Sequence, residues 1–207
     1  MLSIIQAAGW PIWPLIACSV LALALIFERF FSLKSSKVVP PKLLNEVLGV
    51  SRTGIPSSDV ITQLEMNSAL GEVLASGFRA VQINPNCSEA DLRAQMEGSG
   101  RIVAHRLERY LSALATIASS APLLGLFGTV VGMIEIFGAQ APSGSNPVQL
   151  AHGISIALYN TAFGLIIAIP SLIFWRYFRA RVDAYLLTLE LAADRLASHL
   201  ASLPRKV

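Results

Sequence analysis

Apolar residues accumulate in three long runs along this chain, at 12–31, 111–137 and 154–175. A bilayer core of about 30 Å needs roughly 20 apolar residues in a helix, so each run predicts a membrane-spanning helix. Between the first two runs the pattern changes. Residues 38–87 read as short helices separated by turns at Pro40-Pro41, at Arg52-Thr53-Gly54-Ile55-Pro56 and at Asn84-Pro85-Asn86. Ser57-Ser58-Asp59 looks like a helix start, and Leu70, Val73, Leu74, Phe78 and Val81 recur at the spacing of one buried helical face. Ser88, followed by Glu89 and Asp91, is a good N-cap with an acidic first turn. No strong breaker follows before Pro122, which predicts one continuous helix over about 88–137. Beyond Trp175, Tyr185, Leu186, Leu189 and Leu196 keep a helical period, so the third span is also expected to extend past the bilayer.

Composition supports this picture. Hydrophobic residues make up 54% and charged residues 14%, against about 25% charged in soluble domains. The expected class is an all-α integral membrane protein, with three transmembrane helices and long cytoplasmic helical extensions. The first run is not read as a secretory signal peptide. No Lys or Arg precedes Arg29, and Glu28-Arg29 stands where a small-residue cleavage site would be needed. It is read as a retained, lipid-facing anchor with Trp10 and Trp13 as interfacial residues.

Charge then orients the chain. Lys and Arg are absent from 1–11 and 138–153, while ten lie from Arg29 to Arg109 and six from Arg176 to Lys206. The positive-inside rule therefore predicts an outer N-terminus (1–11), a cytoplasmic helical section (32–110), an outer loop (138–153) and a cytoplasmic tail helix (176–207), the outer side being the periplasm if the chain is bacterial. Arg176, Tyr177, Arg179 and Arg181 are expected inner-boundary anchors. The net charge of +3 is on this reading a topology device, and nucleic acid is not an expected partner. Cys18 and Cys87 would fall on a span and in a reducing compartment, so both are read as structural thiols. His105, His152 and His199 have no metal-ligand spacing. No metal or cofactor site, phosphate loop or nucleophile elbow is apparent, and an enzymatic role is not expected.

The second span carries the features that lipid alone does not require. At 100° per residue, Ala118, Ala121, Pro122, Gly125, Gly128, Thr129 and Gly132 share one face, with Glu135 at its edge near the outer boundary. In the third span Ala157, Thr161, Gly164 and Ala168 share a face, with Asn160 and Ser171 at its margin. Small faces are ordinary helix-packing motifs. Polar residues at membrane depth tilt the reading toward a pathway, with Thr129, Thr161 and Asn160 as lining residues. Glu135 is either a group reaching outer water or the mouth of that pathway. Pro122 and Pro170 are expected to bend their helices or free backbone carbonyls.

The blocks APLLGLFGTVVGM and GISIALYNTAFGLIIAIPSLIF resemble the signature of the MotA/TolQ/ExbB proton channel family, nearest its ExbB/TolQ branch, over roughly residues 105–185. The resemblance implies a bacterial inner-membrane complex. A homo-pentamer would surround two copies of a single-span, ExbD- or TolR-like partner whose membrane aspartate carries the proton. Force would pass to a TonB- or TolA-like protein. The family's pore-lining threonines fall on Thr129 and Thr161, and its helix-bending prolines on Pro122 and Pro170. The glycines of the second span would then let Thr129 face a partner helix in a ring of subunits. One position departs from the pattern: Ile156 stands where ExbB and TolQ proteins typically carry a glutamate. The leading expectation is a proton-channel subunit coupling proton motive force to outer-membrane transport. The alternatives are a TolQ-like subunit for envelope maintenance and a non-conducting oligomeric scaffold.

Overall fold

A computed structural model describes residues 9–138 and 147–202. Residues 1–8 of the expected outer segment, half of the expected outer loop (139–146) and the last residues of the tail lie outside the described residues. Eight helices follow one another among those described: α1 Ile12–Ser32, α2 Ser35–Val38, α3 Leu43–Thr53, α4 Ser58–Asn67, α5 Ala69–Ile83, α6 Glu89–Glu108, α7 Leu111–Gly138 and α8 Pro147–Ser202. No strand occurs among the described residues. Three stretches, Ile12–Ser32, Glu89–Gly138 and Gly153–Ser202, contain a segment long and apolar enough to cross a membrane. Only 22%, 22% and 28% of those segments are buried within the protein, so their apolar surface needs lipid or other subunits to cover it. The fold is that of a multi-pass, all-α membrane protein.

One expectation is corrected. The helix predicted to run unbroken over 88–137 ends at Glu108, and α7 begins at Leu111. Arg109 is extended, at φ −50° and ψ 138°, and Tyr110 is left-handed, at φ 67°. The bend uses neither Gly nor Pro, which is why the pattern of residue types did not announce it. After the bend, the Leu114 N–H donates to the Tyr110 carbonyl and α7 starts cleanly.

The chain forms two compact units. The first comprises Met1–Arg29 and Tyr110–Tyr177. Within it Ile12, Leu15, Ala22, Ile26 and Arg29 form the buried stripe of α1, at the three- and four-residue spacing of a helix face. Leu15 packs with Ala121 and Ala168, surrounded by Leu124, Phe163 and Ile167. Trp10 meets Phe127 edge-on with ring centroids 6.0 Å apart. Arg29 is only 3% exposed. It is held by two bonds to Glu28, at 2.5 and 2.7 Å, and its guanidinium lies 5.4 Å from the centre of the Tyr110 ring.

The second unit comprises Phe30–Arg109 and Phe178–Val207. Its core includes Leu70, Val73, Leu74 and Phe78 of α5, Leu92, Met96 and Val103 of α6, and Phe178, Val182, Leu189 and Leu196 of α8. Two serine caps set helix starts. Ser68 accepts from the Gly71 N–H at 3.0 Å to open α5. Ser88 and Asp91 form a reciprocal capping box on α6. The Ser88 hydroxyl and then its backbone N–H hold the Asp91 carboxyl below the usual carboxylate value. Ion pairs tie the surfaces together: Arg106 to Glu72 at 2.6 Å, Arg179 to Glu108 at 2.8 Å and Arg93 to Asp194 at 3.4 Å. The Tyr185 hydroxyl donates to the Leu33 carbonyl at 2.9 Å and accepts from Arg181 at 2.6 Å.

Candidate functional site

Most residues singled out in the two outer blocks lie where α7 crosses α8 within the first unit. The crossing is close because both helices present bare backbone to each other. A Cβ added at Gly125 would stand 2.6 Å from the Asn160 carbonyl oxygen and 3.0 Å from Thr161 Cα. A Cβ added at Gly164 would stand 2.5 Å from the Ala121 carbonyl oxygen and 3.2 Å from Gly125 Cα. Further along, Gly132 faces Ala157, with Cβ positions 3.2 Å apart. Gly153, which sequence reasoning did not pick out, lies against Ile136. Its signal was present as a small residue in register with the others, four positions before Ala157.

The glycine face is therefore occupied by α8 of the same chain. These glycines thus tighten the α7–α8 hairpin itself, which the expectation that they let Thr129 face a partner helix sets aside. In an apolar medium the hydrophobic effect does not bring helices together, and backbone approach of this kind supplies dispersion contact instead.

The two threonines sit beside this seam. Thr129 is half-buried, and its hydroxyl donates to the Leu126 carbonyl at 2.6 Å. That bond satisfies its proton locally and leaves its lone pairs available to accept. Thr161 is half-buried, with its Cα 3.0 Å from a Cβ added at Gly125. Asn160 was expected at the margin of the lining, but only 1% of it is exposed. Its side chain is packed against Gly128, where an added Cβ would fall 2.8 Å from Asn160 Cβ. Ser171 is buried and donates to the Ile167 carbonyl at 2.7 Å.

Glu135 is exposed near the end of α7. It is the sole acidic residue between Tyr110 and Trp175, a stretch with no Lys or Arg. Pro122 and Pro170 both lie inside continuous helices. Lacking an N–H, they leave the carbonyls four residues earlier, those of Ala118 and Ile166, without the usual helical donor. Ile156 is half-buried on α8, one residue before Ala157. Three further hydroxyls on α7, those of Thr116, Ser119 and Ser120, donate to carbonyls one turn back at 2.6–3.1 Å. Thr116 and Ser120 lie on nearly the opposite side of α7 from Thr129 at 100° per residue.

A seam of bare backbone with a hydroxyl on each helix, inside a span with one carboxylate and no basic residue, is poorly suited to bind a metal or activate a nucleophile. It can present oxygen acceptors to a proton or to water in a low-dielectric setting. The description of the MotA/TolQ/ExbB proton channel family matches this chain over residues 65–191, which includes α5 to α7 and most of α8. The chain belongs to the MotA/TolQ/ExbB proton channel family.

Individual members of that family are similar over most of their length. An ExbB-like biopolymer transport protein of Synechocystis is 30% identical over 178 residues, 84% of this chain and 83% of that protein. Biopolymer transport protein exbB1 of Vibrio cholerae is 34% identical over 169 residues, covering 80% and 73%. The Tol-Pal system protein TolQ of Pseudomonas aeruginosa is 32% identical over 181 residues, covering 82% and 77%. The family match contains both blocks and all the candidate residues of α7 and α8.

Proposed function

We propose that this chain is the proton-channel subunit of an inner-membrane energy-transducing complex, coupling proton motive force to transport at the outer membrane. The observation that carries the reading is the α7–α8 crossing, where Thr129 and Thr161 flank a seam of bare backbone within a chain of proton-channel family. Its role is conduction and force transfer rather than catalysis of a covalent reaction. A single exposed carboxylate at one end of α7 cannot by itself relay a proton across a span. As the family membership implies, the titrating group is supplied by a single-span, ExbD- or TolR-like partner bearing a membrane aspartate. Five copies of the chain surround that partner, and a TonB- or TolA-like protein receives the force. Glu135 stands at the outer mouth. The N-terminus and the 138–153 loop face the periplasm, and the C-terminus faces the cytoplasm.

The test is proton flux into liposomes containing the chain co-purified with its partner. Thr161→Val removes one hydroxyl at nearly constant volume, and it is expected to abolish flux while partner and subunits still co-purify. Normal flux in that variant would remove Thr161 from the pathway. If Thr129→Ala and Thr161→Ala together are tolerated and the unaltered complex passes no protons, the chain is a packing scaffold. A TolQ-like role in envelope maintenance is the second reading, favoured by the similarity to TolQ at nearly the same identity as to exbB1. Capture of a TolA-like rather than a TonB-like protein by the assembled complex selects it.

A further inference from the structure

The seam between α7 and α8 is not uniform. At Gly125 and Gly164 it is backbone against backbone, and at Gly132 a methyl faces bare backbone. Only at Gly128 does a polar side chain fill the notch. A Cβ at Gly128 would stand 2.8 Å from Asn160 Cβ, 2.9 Å from Cγ and 3.0 Å from Nδ2. The Cβ and Cγ atoms are tied closely to the α8 backbone, so they cannot swing aside as the tip of a long side chain would. Asn160 is 1% exposed in that notch, on a helix otherwise rich in leucine and isoleucine at this depth. Its position in the notch defines one axial and rotational setting of α8 on α7, because a slip of one residue would turn the amide about 100° out of the seam.

The neighbours of this contact are the two candidate lining residues. Thr129 directly follows Gly128, and Thr161 directly follows Asn160. Whatever fixes Gly128 against Asn160 fixes the azimuth of both hydroxyls.

We infer that the Gly128–Asn160 contact is a register lock, and that Asn160 is a positioning residue that sets Thr129 and Thr161 for proton passage. Asn160 acts from inside the hairpin and does not meet the proton. The inference rests on the proton-channel reading for its consequence, but its structural half can be tested without any flux.

The experiment uses the full chain in membranes with its partner. Gly132 and Ala157 face each other with Cβ positions 3.2 Å apart, so that a spreading of a few tenths of an ångström brings the Gly132→Cys, Ala157→Cys pair to the roughly 3.5–4.5 Å Cβ separation of a disulfide, which should form under mild oxidation. In the otherwise unaltered chain this cross-link is expected in high yield. Asn160→Ala, which keeps the Cβ and removes only the amide, is expected to lower the yield several-fold. Without the cysteines, the same substitution is expected to cut proton flux about tenfold or more, as small misplacements of reacting groups do, while the partner still co-purifies.

Unchanged cross-linking and unchanged flux would overturn the inference. Lost flux with full cross-linking would place Asn160 in the pathway itself and would also overturn it. Reduced cross-linking with normal flux would remove the link to the hydroxyls. If Asn160→Ala does not assemble, a second arm decides. Gly128→Ala, whose added Cβ would press on Asn160 Cβ and Cγ, is expected to lower the same cross-link several-fold, whereas Gly98→Ala, in open space, leaves it unchanged. Full cross-linking in Gly128→Ala would sink the lock. Absence of flux in the unaltered complex would count against the proton-channel reading, leaving the cross-linking result to stand alone.

Discussion

At the scale of single residues, identical side chains have opposite roles that only their surroundings reveal. Gly71 opens α5 with its Cα pressed on α4. A Cβ there would stand 2.1 Å from the Leu64 carbonyl oxygen, which is backbone and cannot move away cheaply. Gly98, inside α6, has nothing within 4 Å of the same position. Gly98→Ala is therefore expected to stabilise the protein by up to about 1 kcal/mol through helix propensity alone. Gly71→Ala is expected to destabilise it by about 1–3 kcal/mol, as overpacking does. Thermal midpoints of the purified protein in one detergent check both, and a stabilised Gly71→Ala would contradict the α4–α5 packing. The same distinction governs α7. The shared face of Gly125, Gly128 and Gly132 was legible in the sequence because helical period and residue size are properties of the chain alone. Which helix fills that face was not legible, since close approach to α8 of the same chain and to a neighbour's helix demand the same residues. Asn160 shows the finer limit. A helical wheel places it at the margin of a face, and a modest rotation of the helix carries it from lining to seam.

At the scale of elements, the bend between α6 and α7 was the largest departure from the expected pattern. A left-handed conformation costs an ordinary residue roughly 1–2 kcal/mol, so the surroundings of Tyr110 must favour it. Its ring is covered by the Arg29 guanidinium at 5.4 Å, and that arginine is itself buried and paired with Glu28. Two substitutions separate the backbone term from the ring. Tyr110→Ala loses the ring and keeps the strain, whereas Tyr110→Gly loses the ring and relieves the strain. Tyr110→Gly is expected to melt higher than Tyr110→Ala, by the equivalent of about 1 kcal/mol. Equal midpoints would mean that Tyr110 does not hold φ near 67° in the membrane-embedded protein. No local rule would have placed the bend, because Arg109-Tyr110 contains neither Pro, Gly nor Asn. It depends on a residue of α1 some eighty positions earlier. The caps at Ser88 and the long run of α8 past Trp175 were legible for the opposite reason, because both are fixed by residues within a turn or two.

At the scale of the whole molecule, the distribution of charge and of uncovered apolar surface must agree on which parts meet lipid. Large side chains such as Trp13, Val20 and Phe27 on α1, Leu123 and Ile134 on α7, and Ile166 and Ile173 on α8 are more than half exposed. They fall within the stretches that lack Lys and Arg, apart from boundary residues. Basic residues resume at Arg29 and at Arg176, and the bias of Lys and Arg toward the cytoplasm predicts that these segments share the cytoplasmic side. In a chain whose Cys18 and Cys87 are replaced by Ala, a single Gly138→Cys should react with a membrane-impermeant maleimide in intact spheroplasts. Gly138 is exposed, with nothing within 4 Å of an added Cβ. Arg101→Cys, on the exposed surface of α6 with 75% of its side chain accessible, should react only after lysis. The reverse labelling would invert the chain. Glu135 would then face the cytoplasm, and a pathway with its mouth at Glu135 could not draw on the periplasmic proton reservoir from that end. Labelling of both sites from one side would break the hairpin topology of α7 and α8, and with it the crossing on which Thr129, Thr161 and Asn160 are arranged.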